Sequence, residues 1–311
     1  MYLLIFLIVA GVALVLSLVT ALVIFFKTFY MRRRKHKSKE EFSLPKGEIY
    51  EPYHDRMRQW MRELRAMPYT AVEIKSHDGL VLRGKYYEYE KGAPIEILFH
   101  GYKSTAERDL CGGVARCFTL HRNALLVDQR ACGDSEGRVT TFGVKESLDC
   151  IAWVNFTVEN IDKDARIYIT GISMGAATVM TAASMPMPEN VVGVLADCGF
   201  TSAQDIIKKV MRDMGLPANL LYPFARLGAI VFGRFDPDSR TPKKSMSKCH
   251  LPIIFYHGDT DAYVPHYMSE ENYNACVSEK KRLIITQGAG HGLCFIVDTD
   301  GYYEALHEIF G

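Results

Sequence analysis

Gly171-Ile172-Ser173-Met174-Gly175 is the stretch of this chain best suited to covalent chemistry. It follows the strand-like run Arg166–Thr170 and precedes a helical run, so it reads as a strand-to-helix turn. Gly171 and Gly175, on either side, allow a turn sharp enough to hold a serine hydroxyl clear of the sheet edge. A hydroxyl attacks an acyl carbon well only with a base beside it, and the base needs an acid to orient it. His291 is the candidate base, in the small-residue loop Gly288-Ala289-Gly290-His291-Gly292 just past the last apolar strand. The candidate acids are Asp259 and Asp261, both within His257-Gly258-Asp259-Thr260-Asp261-Ala262-Tyr263-Val264-Pro265, with Asp197 after the preceding strand as a third. Serine, then acid, then histidine is the chain order expected for this chemistry on a parallel sheet. Phe99-His100-Gly101-Tyr102-Lys103-Ser104 also closes a strand. The backbone N–H groups of Tyr102 and Met174 are candidate oxyanion donors, each worth about 3 kcal/mol in such a role. The helix that starts at Met174 adds its positive end.

Alternating elements bring these loops to one edge. Ala71–Lys75 and Leu80–Tyr87 form a hairpin through Ser76-His77-Asp78-Gly79. Short apolar strands follow at Ile95–Phe99, Ala124–Val127, Ile167–Thr170, Val191–Leu195, Ile253–Tyr256 and Arg282–Thr286. Helical runs separate most of them, at Ala106–Leu120, Lys145–Val158, Met174–Ser184 and His266–Val277, and Gly301–Phe310 closes the chain. The pattern predicts an α/β fold: a mostly parallel central sheet with helices on both faces and an antiparallel edge. Ligands bind at the carboxyl edge of such sheets, where all the candidate residues lie. Residues 201–250 interrupt the alternation with helical patches Ala203–Met214 and Leu220–Phe232 and with Pro217, Pro223, Pro237 and Pro242. An insert of this length predicts a small helical cap over the active site.

The N-terminus carries a different message. Tyr2–Phe26 is uncharged, with Ser17 and Thr20 as its only small hydroxyl residues. As a helix, about 25 residues at roughly 1.5 Å each exceed the ~30 Å of bilayer hydrocarbon. The run is too long for a secretory leader and has no basic stretch before it. Lys27, Arg32, Arg33, Arg34, Lys35, Lys37 and Lys39 follow it, which puts the catalytic part on the cytoplasmic side of a single-pass cell-membrane anchor. The expected division is a transmembrane helix at 1–27, a basic juxtamembrane linker and amphipathic helix at 28–68, and an α/β domain at 69–311 with its cap at 201–250. Met57, Met61 and Leu64 form the stripe of that amphipathic helix. A net charge of +1 over 311 residues gives no basic face, so no nucleic-acid partner is expected. The eight cysteines include no metal-spaced Cys-x-x-Cys pair, so they read as buried reduced thiols, and neither metal nor organic cofactor is implied.

Five motifs, in this order, resemble bacterial α/β-hydrolases of the prolyl oligopeptidase and dienelactone-hydrolase branches: Phe99–Tyr102, Asp128-Gln129-Arg130-Ala131-Cys132-Gly133-Asp134-Ser135-Glu136-Gly137, Gly171–Gly175, His257–Pro265 and Gly290-His291-Gly292. The resemblance covers roughly residues 70–311. The resemblance implies an α/β-hydrolase fold, and its His-Gly-x-x-Asp-x-x-Val-Pro pattern implies Asp261 rather than Asp259 as the acid. It also implies a structural role for Asp128–Gly137, where Ala131 and Cys132 depart from the family pattern and Cys132 is expected near the pocket. The expected activity is cleavage of an ester or related acyl bond through an acyl-enzyme on Ser173, the substrate being a small-molecule acyl compound, possible lipid derivatives included. Peptide cleavage and acyl transfer are alternatives within the same chemistry. A non-catalytic membrane-tethered binding protein on this fold is an alternative of another class.

Overall fold

A computed structural model describes residues 1–32 and 42–311. The basic residues between Arg33 and Lys39, on which the expected orientation largely rests, lie outside the described residues. The first helix, α1 (Tyr2–Thr28), is long and apolar enough to cross a membrane, and its most apolar window is unburied. Its last turns differ, because Ala21, Phe25 and the following Phe29 are packed against protein. A short turn at Glu48–Tyr53 leads into α2 (His54–Ala66), whose buried side is Trp60, Met61 and Leu64.

The sheet begins with β1 (Thr70–Lys75) and β2 (Val81–Tyr87), joined by the expected tight turn, in which the Leu80 N–H donates to Ser76 Oγ at 2.9 Å. Then come β3 (Ile95–Phe99), α3 (Ala106–Thr119), β4 (Asn123–Val127), α4 (Glu146–Phe156), β5 (Ile167–Ile172), α5 (Met174–Ala182) and β6 (Val191–Asp197). The insert contains α6 (Ala203–Asp213), α7 (Ala218–Gly233) and α8 (Pro242–Met246). The chain closes with β7 (Ile253–Gly258), α9 (Tyr267–Ala275), β8 (Lys281–Thr286), α10 (Cys294–Val297) and α11 (Thr299–Phe310). Hydroxyl caps set several helix starts: Thr105, Ser202 and Thr241 accept the N–H groups of Arg108, Asp205 and Lys244. The strand order is β1-β2-β4-β3-β5-β6-β7-β8, with β2 antiparallel to both neighbours and the other pairs parallel. Every residue of β3 and β4 is buried, as central strands covered on both faces must be.

Charged groups brace this core. Glu96, on β3, is fully buried between Arg116 and Arg122 and accepts from the Thr170 hydroxyl at 2.7 Å. Burial raises its carboxyl, but the two guanidiniums outweigh burial and hold it below its ordinary range. Removing one partner from such a group costs about 3–5 kcal/mol. Within Asp128–Gly137, Asp128 accepts the N–H groups of Ala106 and Asp134 at 2.9 and 3.0 Å. Arg130 clamps Asp149 and Asp78, tying that loop to α4 and to the first hairpin.

The α1 helix also meets the insert. A Cβ on Gly228 of α7 would lie 2.5 Å from the Ala21 carbonyl oxygen, so the two backbones touch where glycine stands. The Phe29 ring packs edge-on against Phe142 and Phe235.

Candidate active site

Ser173 sits between β5 and α5 with φ 57° and ψ −114°. A non-glycine residue in this left-handed region costs about 1–3 kcal/mol, so its surroundings must enforce it. They do so through close backbone packing. A Cβ on Gly171 would lie 2.1 Å from the Gly175 carbonyl carbon, and one on Gly175 would lie 2.0 Å from the Phe99 carbonyl oxygen. The Ser173 N–H donates to the Asp197 carbonyl at 2.8 Å, fixing the turn to β6.

His291 Nε2 lies 3.0 Å from Ser173 Oγ, and its Nδ1 lies 2.7 Å from Asp261 Oδ2. The other oxygen, Asp261 Oδ1, accepts the N–H groups of Tyr263 and Val264 at 2.9 and 2.8 Å. His257, fully buried, stands 3.2 Å from Asp261 Oδ2 and is itself held between the Val264 carbonyl and the Ser269 hydroxyl. Burial raises the Asp261 carboxyl, but hydrogen bonds from His257 and His291 outweigh it and hold the group well below the ordinary carboxylate range. Asp259 instead accepts the Gly288 N–H at 2.7 Å, tying the two loops together. Asp197 is buried at the end of β6, where Oδ2 accepts the Tyr302 hydroxyl at 3.3 Å. Of the three acids considered, Asp261 is the one hydrogen-bonded to His291.

Gly101 abuts the serine: a Cβ there would lie 3.4 Å from Ser173 Cβ. Asp109 pins this loop by accepting the Gly101 N–H at 2.9 Å and the Ser104 hydroxyl at 2.5 Å. Among the described residues, neither the Tyr102 nor the Met174 N–H has a hydrogen-bond acceptor. The Tyr102 side chain turns away toward the end of α1, where its hydroxyl donates to the Thr28 carbonyl, and its ring packs on Phe142.

A cavity of about 230 Å³ opens beside Ser173 and His291. Its lining comes from α2, α3, α10 and α11, the sheet and the 45–50 stretch, with no residue from 201–250. Trp60 of α2 is one wall, and Gly112 of α3 makes room for it, since a Cβ there would meet the indole ring at 2.8 Å. Tyr50 donates from its hydroxyl to the His291 carbonyl at 3.0 Å, and the Tyr263 ring lies 5.1 Å from the imidazole. Sequence reasoning missed Tyr50, Trp60 and Tyr263 as site residues. The apolar stripe of α2 was the one available signal, and it does not reveal what the stripe covers.

All eight cysteines are buried and outside any disulfide. Cys132 does not line the cavity. Cys198 is closer to the chemistry, its sulfur within 4.8 Å of ligand-type atoms of Asp261 and His291. Burial pushes its thiol up, and both imidazole nitrogens are already hydrogen-bonded, so the trio does not form an open metal site.

No family model matches the chain. It is 26% identical over 247 residues to the uncharacterized protein YqkD of Bacillus subtilis, covering 78% of this chain and 79% of that one. With protein bem46 of Schizosaccharomyces pombe it shares 24% identity over 252 residues, 78% and 76% of the two chains. Among solved structures, the esterase Pf2001 of Pyrococcus furiosus superposes with a TM-score of 0.65 at 23% identity, over 80% of this chain and 94% of that one. The esterase Est1E of Butyrivibrio proteoclasticus, solved with ferulic acid, gives 0.59 at 19% identity, over 76% and 98%.

Proposed function

From a chain that has the α/β-hydrolase fold, we propose a membrane-anchored serine hydrolase that cleaves esters of small or medium acyl groups. The observation that carries this reading is the hydrogen-bonded line from Ser173 Oγ to His291 Nε2, at 3.0 Å, and from His291 Nδ1 to Asp261 Oδ2, at 2.7 Å. Ser173 Oγ attacks the acyl carbon while His291 Nε2 takes its proton. Asp261 holds the Nδ1–H and so fixes the tautomer with Nε2 free to accept. The Tyr102 and Met174 N–H groups receive the oxyanion, and His291 then returns the proton to the leaving alcohol. Water repeats the sequence on the acyl-enzyme.

Chromogenic p-nitrophenyl esters from acetate to palmitate, with fluorophosphonate labelling beside them, test this. Turnover and labelling that both vanish in Ser173→Ala are expected. Labelling without ester turnover would move the reading to peptide cleavage or acyl transfer, and absence of both would replace catalysis with binding.

The anchor reading is supported by the unburied apolar length of α1. Alkaline carbonate should leave the protein in the membrane pellet. For orientation, Ser43→Cys adds a thiol to a chain whose own cysteines are buried. Protection from an impermeant maleimide in intact cells is expected, and ready labelling would reverse the assignment.

A further inference from the structure

Outside α1, twelve large apolar side chains are exposed among the described residues, and six of them belong to one segment of the insert: Met214, Leu216, Leu220, Ile230, Val231 and Phe232. Single exposed apolar residues are ordinary, whereas a concentration like this marks a contact surface. Met214 and Leu220 are 68% and 65% exposed. Within α7, Leu220, exposed Pro223, half-buried Leu227 and Ile230 recur at steps of three and four, so they form one stripe along the helix. Gly228 lies off that stripe, on the side that meets α1.

The contacts with α1 set the depth of this stripe. A Cβ on Gly228 would lie 2.5 Å from the Ala21 carbonyl oxygen and 3.1 Å from Phe25 Cβ, and one on Gly233 would lie 3.1 Å from Phe25 Cε2. The Phe25 and Phe232 ring centroids are 5.8 Å apart. Partners thus advance along α7 as they advance along α1, so the two helices run side by side in the same direction. The start of α7, with Leu220 and the 214–217 connection before it, therefore lies toward the N-terminal, unburied part of α1. Ser17 and Leu18, one turn before Ala21, are half-buried. The ~30 Å of bilayer hydrocarbon takes about 20 helical residues, which counted from Tyr2 end near Ala21. The Gly228 contact stands at that boundary, and the stripe before it reaches the acyl chains.

Charge does not oppose this placement. The carboxylates nearest in sequence to the stripe are paired: Asp213 with Lys209 at 2.5 Å, and Asp236 and Asp238 with Arg226 at 2.7 and 3.3 Å. Exposed Arg212 and Arg234 stand just beyond the two ends of the segment, and long basic side chains there reach headgroup phosphates.

Resting on the anchor reading above, we propose that this face of α7 and the connection before it form a second membrane contact, seated in the leaflet beside the last turns of the α1 span. Its occupant is the lipid itself, acyl chains against the apolar stripe and headgroups against Arg212 and Arg234. The insert contributes nothing to the lining of the Ser173 cavity, so its part is that of a membrane foot rather than a cap.

The test uses the full chain, whose own cysteines are buried, in phosphatidylcholine–phosphatidylglycerol vesicles. Leu220→Cys and Val231→Cys carry a nitrobenzoxadiazole label, beside Leu14→Cys within α1 and exposed Lys91→Cys ahead of β3, at the sheet edge away from Ser173. Lipids with a nitroxide on the acyl chain quench a label that sits in hydrocarbon. Blue-shifted emission and loss of most fluorescence to the nitroxide are expected at positions 220, 231 and 14, and neither at 91. Unquenched labels at 220 and 231 beside a quenched label at 14 overturn the inference and leave the anchor reading standing. A blue shift at 220 and 231 without quenching means that a second copy of the chain covers the stripe, and overturns it as well. Quenching at 220 and 231 but not at 14 sinks the anchor reading alone.

Discussion

Asp261 and Asp259 are two residues apart on one loop, yet their surroundings divide them. Two backbone N–H groups and two imidazoles converge on Asp261, whereas Asp259 accepts from a glycine N–H. Asp261→Asn should therefore lower kcat by about 10⁴ with KM little changed, because an amide stabilises the wrong histidine tautomer. Asp259→Asn should leave kcat within a few-fold, and steady-state kinetics on one ester distinguishes the two. The depressed carboxyl also predicts an acid-stability effect. Asp261 binds its proton more readily unfolded than folded, so its contribution is complete above the unfolded value of about 4 and is lost as pH falls toward the folded one. Urea denaturation at stepped pH should show a stability loss below about pH 5 that is shallower in Asp261→Asn.

Close approach of elements creates the site geometry, and glycine permits it. The β5–α5 turn has no space for a methyl group at Gly171 or Gly175. Gly171→Ala should cost about 3 kcal/mol or more, mainly through displaced backbone, and should lower fluorophosphonate labelling in the fraction that still folds. The α2 helix has a larger part than its position ahead of the sheet suggests, because Trp60 is both core and cavity wall. Trp60→Ala should cost about 3–5 kcal/mol in denaturation. It should also move the ester profile toward longer chains, which a purely structural loss would not do.

Across the whole molecule, the apolar first helix is joined to the α/β domain by more than a linker. Phe25 and Phe29 are buried against the insert, and Lys27 and Thr28 give their carbonyls to Lys103 and Tyr102 beside the proposed oxyanion loop. On α7, Leu220, Ile230, Val231 and Phe232 remain exposed near this junction. A chain starting at residue 40 should lose about 3–6 kcal/mol of stability, from two phenylalanines at roughly 1.5–3 kcal/mol each. Gly228→Val in the full chain should reproduce part of that loss, because its Cβ would strike the Ala21 carbonyl. Equal denaturation midpoints for all three proteins would mean that α1 is a detachable tether.

The sequence by itself determined the alternation of elements, the strand-to-helix serine turn and the order of serine, acid and histidine. These are local properties: hydrophobic period, glycine spacing and chain order. Its predicted strands begin and end within about two residues of those observed, while α8 and α10 are too short, at five and four residues, to show a period. The choice of Asp261 over its neighbours needed a family pattern first, and the structure supplies the hydrogen bonds that distinguish them. Only the tertiary structure decided that the cavity is walled by α2, α3, α10 and α11 rather than by the insert, and that Arg116 and Asp197 line it. It also decided that α1 packs on α7. Such facts depend on which face of one helix meets which face of another, and a residue's own neighbours in the chain carry no record of that.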